Sequence, residues 1–230
     1  MKAMIFAAGL GTRLKPITDD KPKALVEING KPLLYYAIRK LKSAGISSII
    51  INVHHFAEQI ITYVKRNNSF DININFSDES SLLLDTGGGL KNAAWFFDDN
   101  QPFIVYNVDI ISNIDLKHML SQHIASKSDV TLAVMKRQTS RYFLFDENNN
   151  LVGWKNSLKN EERIVIDSKI KDERAFSGIQ ILNPCIFDHM NYEGVFPIVD
   201  VYLDAAKYLS IKSYDHSNTE WLDLGKTHEL

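Results

Sequence analysis

The segment FAAGLGTRLKPITDDKPKAL, residues 6–25, follows an apolar run (KAMIFAA, 2–8), carries two glycines, and places Arg13, Lys15, Lys21 and Lys23 within a short length of chain. An apolar strand that empties into a basic glycine loop raises the question of a phosphate-binding loop. Three loop types compete for it. GxxxxGK[ST] is absent. GxGxxG fails at its third glycine, where Leu14 stands. The third type is a loop whose backbone N–H groups approach phosphates while neighbouring cations neutralise them. Gly9 and Gly11 permit close approach of a ligand, Arg13 offers a planar fork for phosphate oxygens, and Pro22 restricts the chain just before Lys23. A solvated surface loop is the competing reading.

Outward from this segment, strands and helices alternate. PLLYYAIRKLKSAG (32–45) repeats apolar residues at Leu34, Ile38 and Leu41, the spacing of a helix, and Gly45 can close it. SSIIINVH (47–54) reads as a second strand and FAEQIITYVKRN (56–67) as a helix with Phe56, Ile60 and Val64 on one face. DININF (71–76) alternates as a half-exposed strand does. TGGGLKNAAWFF (86–97) is expected to begin as a glycine turn and continue as a helix. PFIVYNVD (102–109) is a buried strand, DLKHMLSQHIAS (115–126) a helix, and DVTLAVMK (129–136) a strand. YFLFDENNNLVGW (142–154) reads as a hairpin around an Asp/Asn turn. Residues 155–174 read as a polar surface excursion, AFSGIQIL as a strand, PIVDVYLDAAKYL as a helix with proline in its first turn, and IKSYDHS as the last strand.

The expected fold is therefore α/β: a Rossmann-like, mainly parallel mixed sheet with helices on both faces and a small β-rich insertion. One domain is expected over residues 1–230, with one half at about 1–136 and a β-rich half at about 137–230. The 230 residues suffice for one large core. A formal net charge of −2 gives no global field for nucleic acid or an anionic membrane, so any anion site is local. The single cysteine, Cys185, permits no internal disulfide. No apolar run nears the roughly 20 residues of a membrane helix, and a cytoplasmic protein is expected.

FAAGLGTRLKPIT…KPKALVEINGKPLL resembles the signature of the sugar-1-phosphate nucleotidyltransferases, whose fold is the nucleotide-diphospho-sugar transferase fold. DTGGGLKNA (85–93), VYNVDI (105–110), FSGIQIL (176–182) and WLDLGKTHEL (221–230) extend the likeness over almost the whole chain. The DTGGG, FSGIQ and WLDLG details are most similar to the N-acetylmuramate-1-phosphate uridylyltransferase and mannose-1-phosphate guanylyltransferase branch. The resemblance implies joining of a nucleoside triphosphate, UTP favoured, to a sugar 1-phosphate, with Mg2+ as cofactor and pyrophosphate released. It implies nucleotide binding for the half at about 1–136 and sugar binding for the half at about 137–230. The partners it implies are these small molecules, with no nucleic acid and no membrane.

By residue, Asp109 ends an apolar strand where ligands of open α/β sheets bind, and a turn-forming or capping aspartate reads equally well there. Asp223 is an acid flanked by apolar residues. The resemblance gives both as ligands of the catalytic Mg2+. It gives Arg13 to the leaving phosphates and Lys23 to the reacting ones. Ala8, Gly9, Gly11 and Thr12 are expected around the nucleotide, as are Asp85, Gly87 and Gly88, with Asp85 either at the ribose or base or capping a helix. Asn107, Lys155 and Gly178 are candidates for the sugar phosphate. Many members of the family hold a base-reading glutamine near the position of Ser80, and its absence here leaves the base open. His54 and His55 point to opposite faces of a strand, which argues against a shared ion. A cytidylyltransferase for a non-sugar phosphate such as phosphocholine is the alternative enzyme, to be decided by the pocket after Tyr142, since a cation substrate wants aromatic and acidic walls, with mannose 1-phosphate guanylyltransfer another. A non-catalytic sugar-nucleotide-binding subunit stands as the alternative outside enzymes. The chain ends seven residues after Asp223, and a single reaction is expected.

Overall fold

The computed structural model describes residues 1–225; the KTHEL end of the last motif lies outside the described residues. Among the described residues, fourteen strands and five α-helices follow one another. The first half holds β1 (Lys2–Phe6), β2 (Glu27–Ile28), β3 (Lys31–Pro32), α1 (Leu33–Ser43), β4 (Ser48–Val53), α2 (Ala57–Arg66), β5 (Asn73–Asp78), α3 (Asp85–Asn92), β6 (Phe103–Asn107), β7 (Ile110–Ser112), α4 (Leu116–Ala125) and β8 (Val130–Met135). The second holds β9 (Arg141–Phe145), β10 (Leu151–Asn156), β11 (Glu161–Ile164), β12 (Asp172–Leu182), α5 (Ile198–Ala205), β13 (Ile211–Asp215) and β14 (Trp221–Asp223).

Ten strands form one mixed sheet in the order β11-β10-β9-β12-β6-β1-β4-β5, with β8 beside β12 and β13 beside β8. The β6-β1-β4-β5 part is parallel. β12 runs antiparallel to β6, β8 and β9 and so joins the β-rich part to the parallel part. The two sides of the sheet are both covered at its centre, where β1, β4 and β6 carry apolar residues on both faces. Ala3, Ile5, Ile49 and Ile51 meet α1, α2 and α4 through Ile38, Ile60 and Met119. Met4 and Ile50 meet α3 and α5 through Leu90 and Val201. Each buried aliphatic side chain of this kind stabilises the fold by about 1.5–3 kcal/mol.

Three expectations need correcting. The glycines of DTGGG lie inside α3, not in a turn before it. Residues 155–174 are only partly an excursion, since β11 pairs with β10 there. IKSYDHS is not the last strand: β14 follows and pairs antiparallel with β7, with Asp223 opposite Ile110. Among the described residues, no helix is long and apolar enough to cross a membrane.

Candidate active site

The carboxyl ends of β1, β4, β5 and β6 open on a cleft of about 360 Å³. Its lining includes Ala8, Gly9, Asn52, Glu79, Asn107 and Asp109, together with Lys23, Asp85, Thr86 and Val195. This is the edge where parallel strands present their C-terminal residues to ligands.

The basic loop is shaped from within. Gly11 has φ +66°, and a methyl group on it would stand 3.0 Å from Thr18 Cγ2 and 3.1 Å from Lys23 Cβ. The Thr18 hydroxyl donates to the Gly11 carbonyl at 2.9 Å. Thr12 and Arg13 lie in a single 3₁₀ turn after it. The loop thereby returns Lys23 to the cleft, where its ammonium donates to Asp109 Oδ2. Both side chains are largely buried, 12% and 13% exposed, so each charge offsets the other's desolvation.

Asp223 reaches the same place from the far end of the chain. The β7–β14 pairing sets it opposite Ile110, and the Leu224 N–H donates to the Asp109 carbonyl at 2.9 Å. Gly225 N–H donates to Asp223 Oδ1 at 2.9 Å. A methyl group on Gly225 would stand 2.7 Å from Asp223 Oδ1, 3.0 Å from Asp109 Oδ2 and 3.1 Å from Arg13 Nη2. One missing side chain thus leaves a cradle edged by two carboxylates and a guanidinium. Hard carboxylate oxygens, few in number, suit Mg2+, which takes one or two of them and fills its other positions with phosphate oxygens and water. Among the described residues no group of three or more His, Cys, Asp or Glu gathers.

Other predicted residues fall in different places. Asn107 and Asp85 line the cleft. The Asp85 carboxylate also accepts from Thr86 N at 2.6 Å. Gly178, at φ +73°, lies under Asn107; a methyl group on it would come within 2.9 Å of Asn107 Nδ2 and of Ile110 Cγ1. Gly87 and Gly88 do not line the cleft: their N–H groups donate to the Phe196 carbonyl at 2.9 and 3.2 Å. They are glycine because methyl groups there would meet Phe196 Cδ2 at 2.5 Å and the Gly194 carbonyl oxygen at 2.3 Å. Lys155 also lies outside the lining. It pairs with Glu173 and sits 5.5 Å from the Tyr142 ring centroid. The Ala8 N–H donates to Asn52 Oδ1 at 3.3 Å.

Asn52 and Glu79 are site residues that sequence reasoning missed. Asn52 Oδ1 accepts from Ala7 N at 2.7 Å, and its Nδ2 donates to Glu79 Oε1 at 2.7 Å. Glu79 Oε2 accepts from Leu84 N at 3.1 Å. Burial raises the Glu79 carboxyl above its usual range, against the pull of these two donors. The available signal was a polar residue inside an apolar strand run, IIINV, which has to find partners when buried. His54 Nδ1 lies 2.6 Å from the Glu79 carbonyl, while His55 stacks on Phe56 at 3.8 Å.

A family model described as nucleotidyl transferase matches residues 2–144. The chain is 29% identical over 236 residues to an N-acetylmuramate alpha-1-phosphate uridylyltransferase of Neisseria meningitidis, covering 100% of this chain and 95% of that protein. It is 30% identical over 230 residues to a mannose-1-phosphate guanyltransferase of Schizosaccharomyces pombe, covering 98% of this chain but 61% of that protein. Among solved structures, HddC from Yersinia pseudotuberculosis complexed with GMP-PN superposes with a TM-score of 0.76 at 25% identity, covering 99% of this chain and 95% of that one. A putative glucose-1-phosphate thymidylyltransferase from Bacillus anthracis has the same fold, with a TM-score of 0.84 at 19% identity and coverage of 100% and 92%.

Proposed function

The chain belongs to the nucleotidyl transferase family, and on that premise we propose that it joins a nucleoside triphosphate to a sugar 1-phosphate and releases pyrophosphate, with Mg2+ required. The observation that carries the reading is the convergence of Lys23, Asp109, Asp223 and Arg13 around Gly225.

The nucleophile in such a reaction is a phosphate oxygen that is already ionised at neutral pH, so no general base is needed. The work left to the protein is positioning and charge. Asp109 and Asp223 would hold the cation. Mg2+, when bound, neutralises charge on the triphosphate and the departing pyrophosphate. Lys23 places its ammonium beside Asp109, where the two reacting phosphates come together. Arg13, exposed at the cradle's outer edge, is set to take the β- and γ-phosphates. Asn107 presents its amide at the sugar end of the cleft.

The nucleoside end is bounded by Asn52 and Glu79. UTP is supported as the donor by the uridylyltransferase relative that matches nearly end to end, and GTP as the second reading by the mannose-1-phosphate guanyltransferase relative.

A choline-type acceptor is less well served. Lys155 already sits 5.5 Å from the centroid of the Tyr142 ring, close enough for a cation–π contact with it. The test is a matrix of four triphosphates against several sugar 1-phosphates and phosphocholine, scored by pyrophosphate release with and without Mg2+. Release confined to UTP or GTP with a sugar 1-phosphate is expected; release with phosphocholine alone would overturn the reading.

A further inference from the structure

A buried imidazole outside the cleft connects the two segments that frame it. His216, 3% exposed, follows β13. Its Nε2 lies 2.7 Å from Ser177 Oγ and its Nδ1 2.8 Å from Thr219 Oγ1. Thr219 Oγ1 donates to the His216 carbonyl at 2.9 Å, so it receives the Nδ1 hydrogen, and Nε2 accepts from the Ser177 hydroxyl. Burial lowers the pKa of this histidine; Asp215 works against that shift and Arg137 with it. The neutral ring with one donor and one acceptor is therefore the form that fits at neutral pH.

Both contacts lead to the reaction site. Ser177 and Gly178 lie where the β12–β8 register shifts, between Phe176 and Gln180. Gly178 leaves no room for a side chain between it and the site: a methyl group there would meet Asn107 and Ile110, the residues on either side of the Val108–Asp109 step. Thr219 begins the segment that becomes β14 and ends in Asp223. The Trp221 indole N–H donates to the Ser177 carbonyl at 2.9 Å, giving the same two segments a second tie. Arg137 stacks on Trp221, 4.5 Å from the ring centroid, and donates to the Phe176 carbonyl at 2.9 Å.

We infer that His216 is a positioning residue for the transfer reaction: its ring clamps the β12 irregularity to the strand bearing Asp223, and so fixes Asn107 and Asp223 relative to Asp109. This inference rests on the proposed activity for its kinetic consequences but not for its structural ones.

The test uses the full chain and the variants His216→Leu, His216→Gln and Ser177→Ala. Expected for His216→Leu is at least a tenfold rise in the Mg2+ concentration giving half activity, a fall in kcat, and faster amide exchange at Leu224 and Gly178. The glutamine amide can stand in for Nε2 at Ser177 and is expected to recover most of the loss. Ser177→Ala deletes a single hydroxyl, keeps the fold, and is expected to raise the Mg2+ requirement about threefold or more, so it carries the test if the leucine variant does not fold. Unchanged Mg2+ dependence and unchanged Leu224 exchange in Ser177→Ala would overturn the inference. If the unmodified protein releases pyrophosphate from no substrate pair, the proposed activity fails, and the exchange data alone decide the role of His216.

Discussion

Lys23 and Asp109 stand 86 positions apart in the sequence and form an ion pair at the mouth of β6, each side chain seven-eighths buried. Removing one partner leaves the other charge desolvated and alone, which in comparable buried pairs costs about 3–5 kcal/mol. Lys23→Met is therefore expected to lower stability in urea and, separately, to cut turnover by at least about tenfold, the effect of about 1.4 kcal/mol at the transition state. Pairing it with Asp109→Leu should restore much of the stability but none of the activity. Full turnover in the single variant would remove Lys23 from the proposed chemistry.

Gly225 tests the cradle without touching a charge. A methyl group there meets Asp223 Oδ1 at 2.7 Å and Asp109 Oδ2 at 3.0 Å. Gly225→Ala is expected to raise the Mg2+ concentration for half activity at least several-fold while the melting temperature hardly moves. Titration of pyrophosphate release against Mg2+ reads this directly, and an unchanged curve would count against a cation held by those two carboxylates.

The α3 glycines make the opposite prediction. Gly88→Ala drives a methyl group to 2.3 Å from the Gly194 carbonyl oxygen, a contact that only backbone movement can relieve. Overpacking of this kind costs about 1–3 kcal/mol or more. Gly9→Ala, with nothing within 4 Å, is expected to fold as the parent does. Urea midpoints for the pair separate a packing requirement from a ligand requirement.

Stability should also fall on acidification. Burial lowers the pKa of His123, whose Nδ1 faces Thr131 and whose Nε2 faces Asn183, and lowers that of His216. The unfolded chain then binds more protons than the folded one below about pH 6.5, so stability present above that pH is lost as the pH drops toward the folded values. Glu79, raised by burial, acts the other way from about pH 4.5 upward. The contribution of one histidine is isolated by comparing His123→Gln with the parent: its urea midpoint should change less between pH 7 and pH 5. Equal slopes would rule His123 out as a source.

The parallel core was legible because long apolar strands and 3.6-residue helical spacing are local signals. The basic loop and the place of Asp109 were legible for the same reason, standing directly after such strands. The roles of Asp109 and Asp223 were assigned from family resemblance, and the route of Asp223 to Asp109 was not visible. β7 and β14 are three residues each, too short for any periodicity to register. Three glycines in a row read as a turn by propensity, yet close packing on Phe196 and Gly194 makes α3 of them; tertiary contacts outweighed the local preference. Lys155 could not be placed from sequence, because its partner Glu173 comes from a strand 18 residues away.

The carbonyl of Phe196 that secures the first amides of α3 has a bearing on how such a chain can be recombined. It belongs to the stretch after residue 136, as does Val195, which lines the cleft. On the proposed function, a chimera that imports a foreign C-terminal half to alter the acceptor imports a new wall for the donor as well. Swapping one specificity in this architecture therefore disturbs the other, unless residues 194–196 are kept with the N-terminal parent.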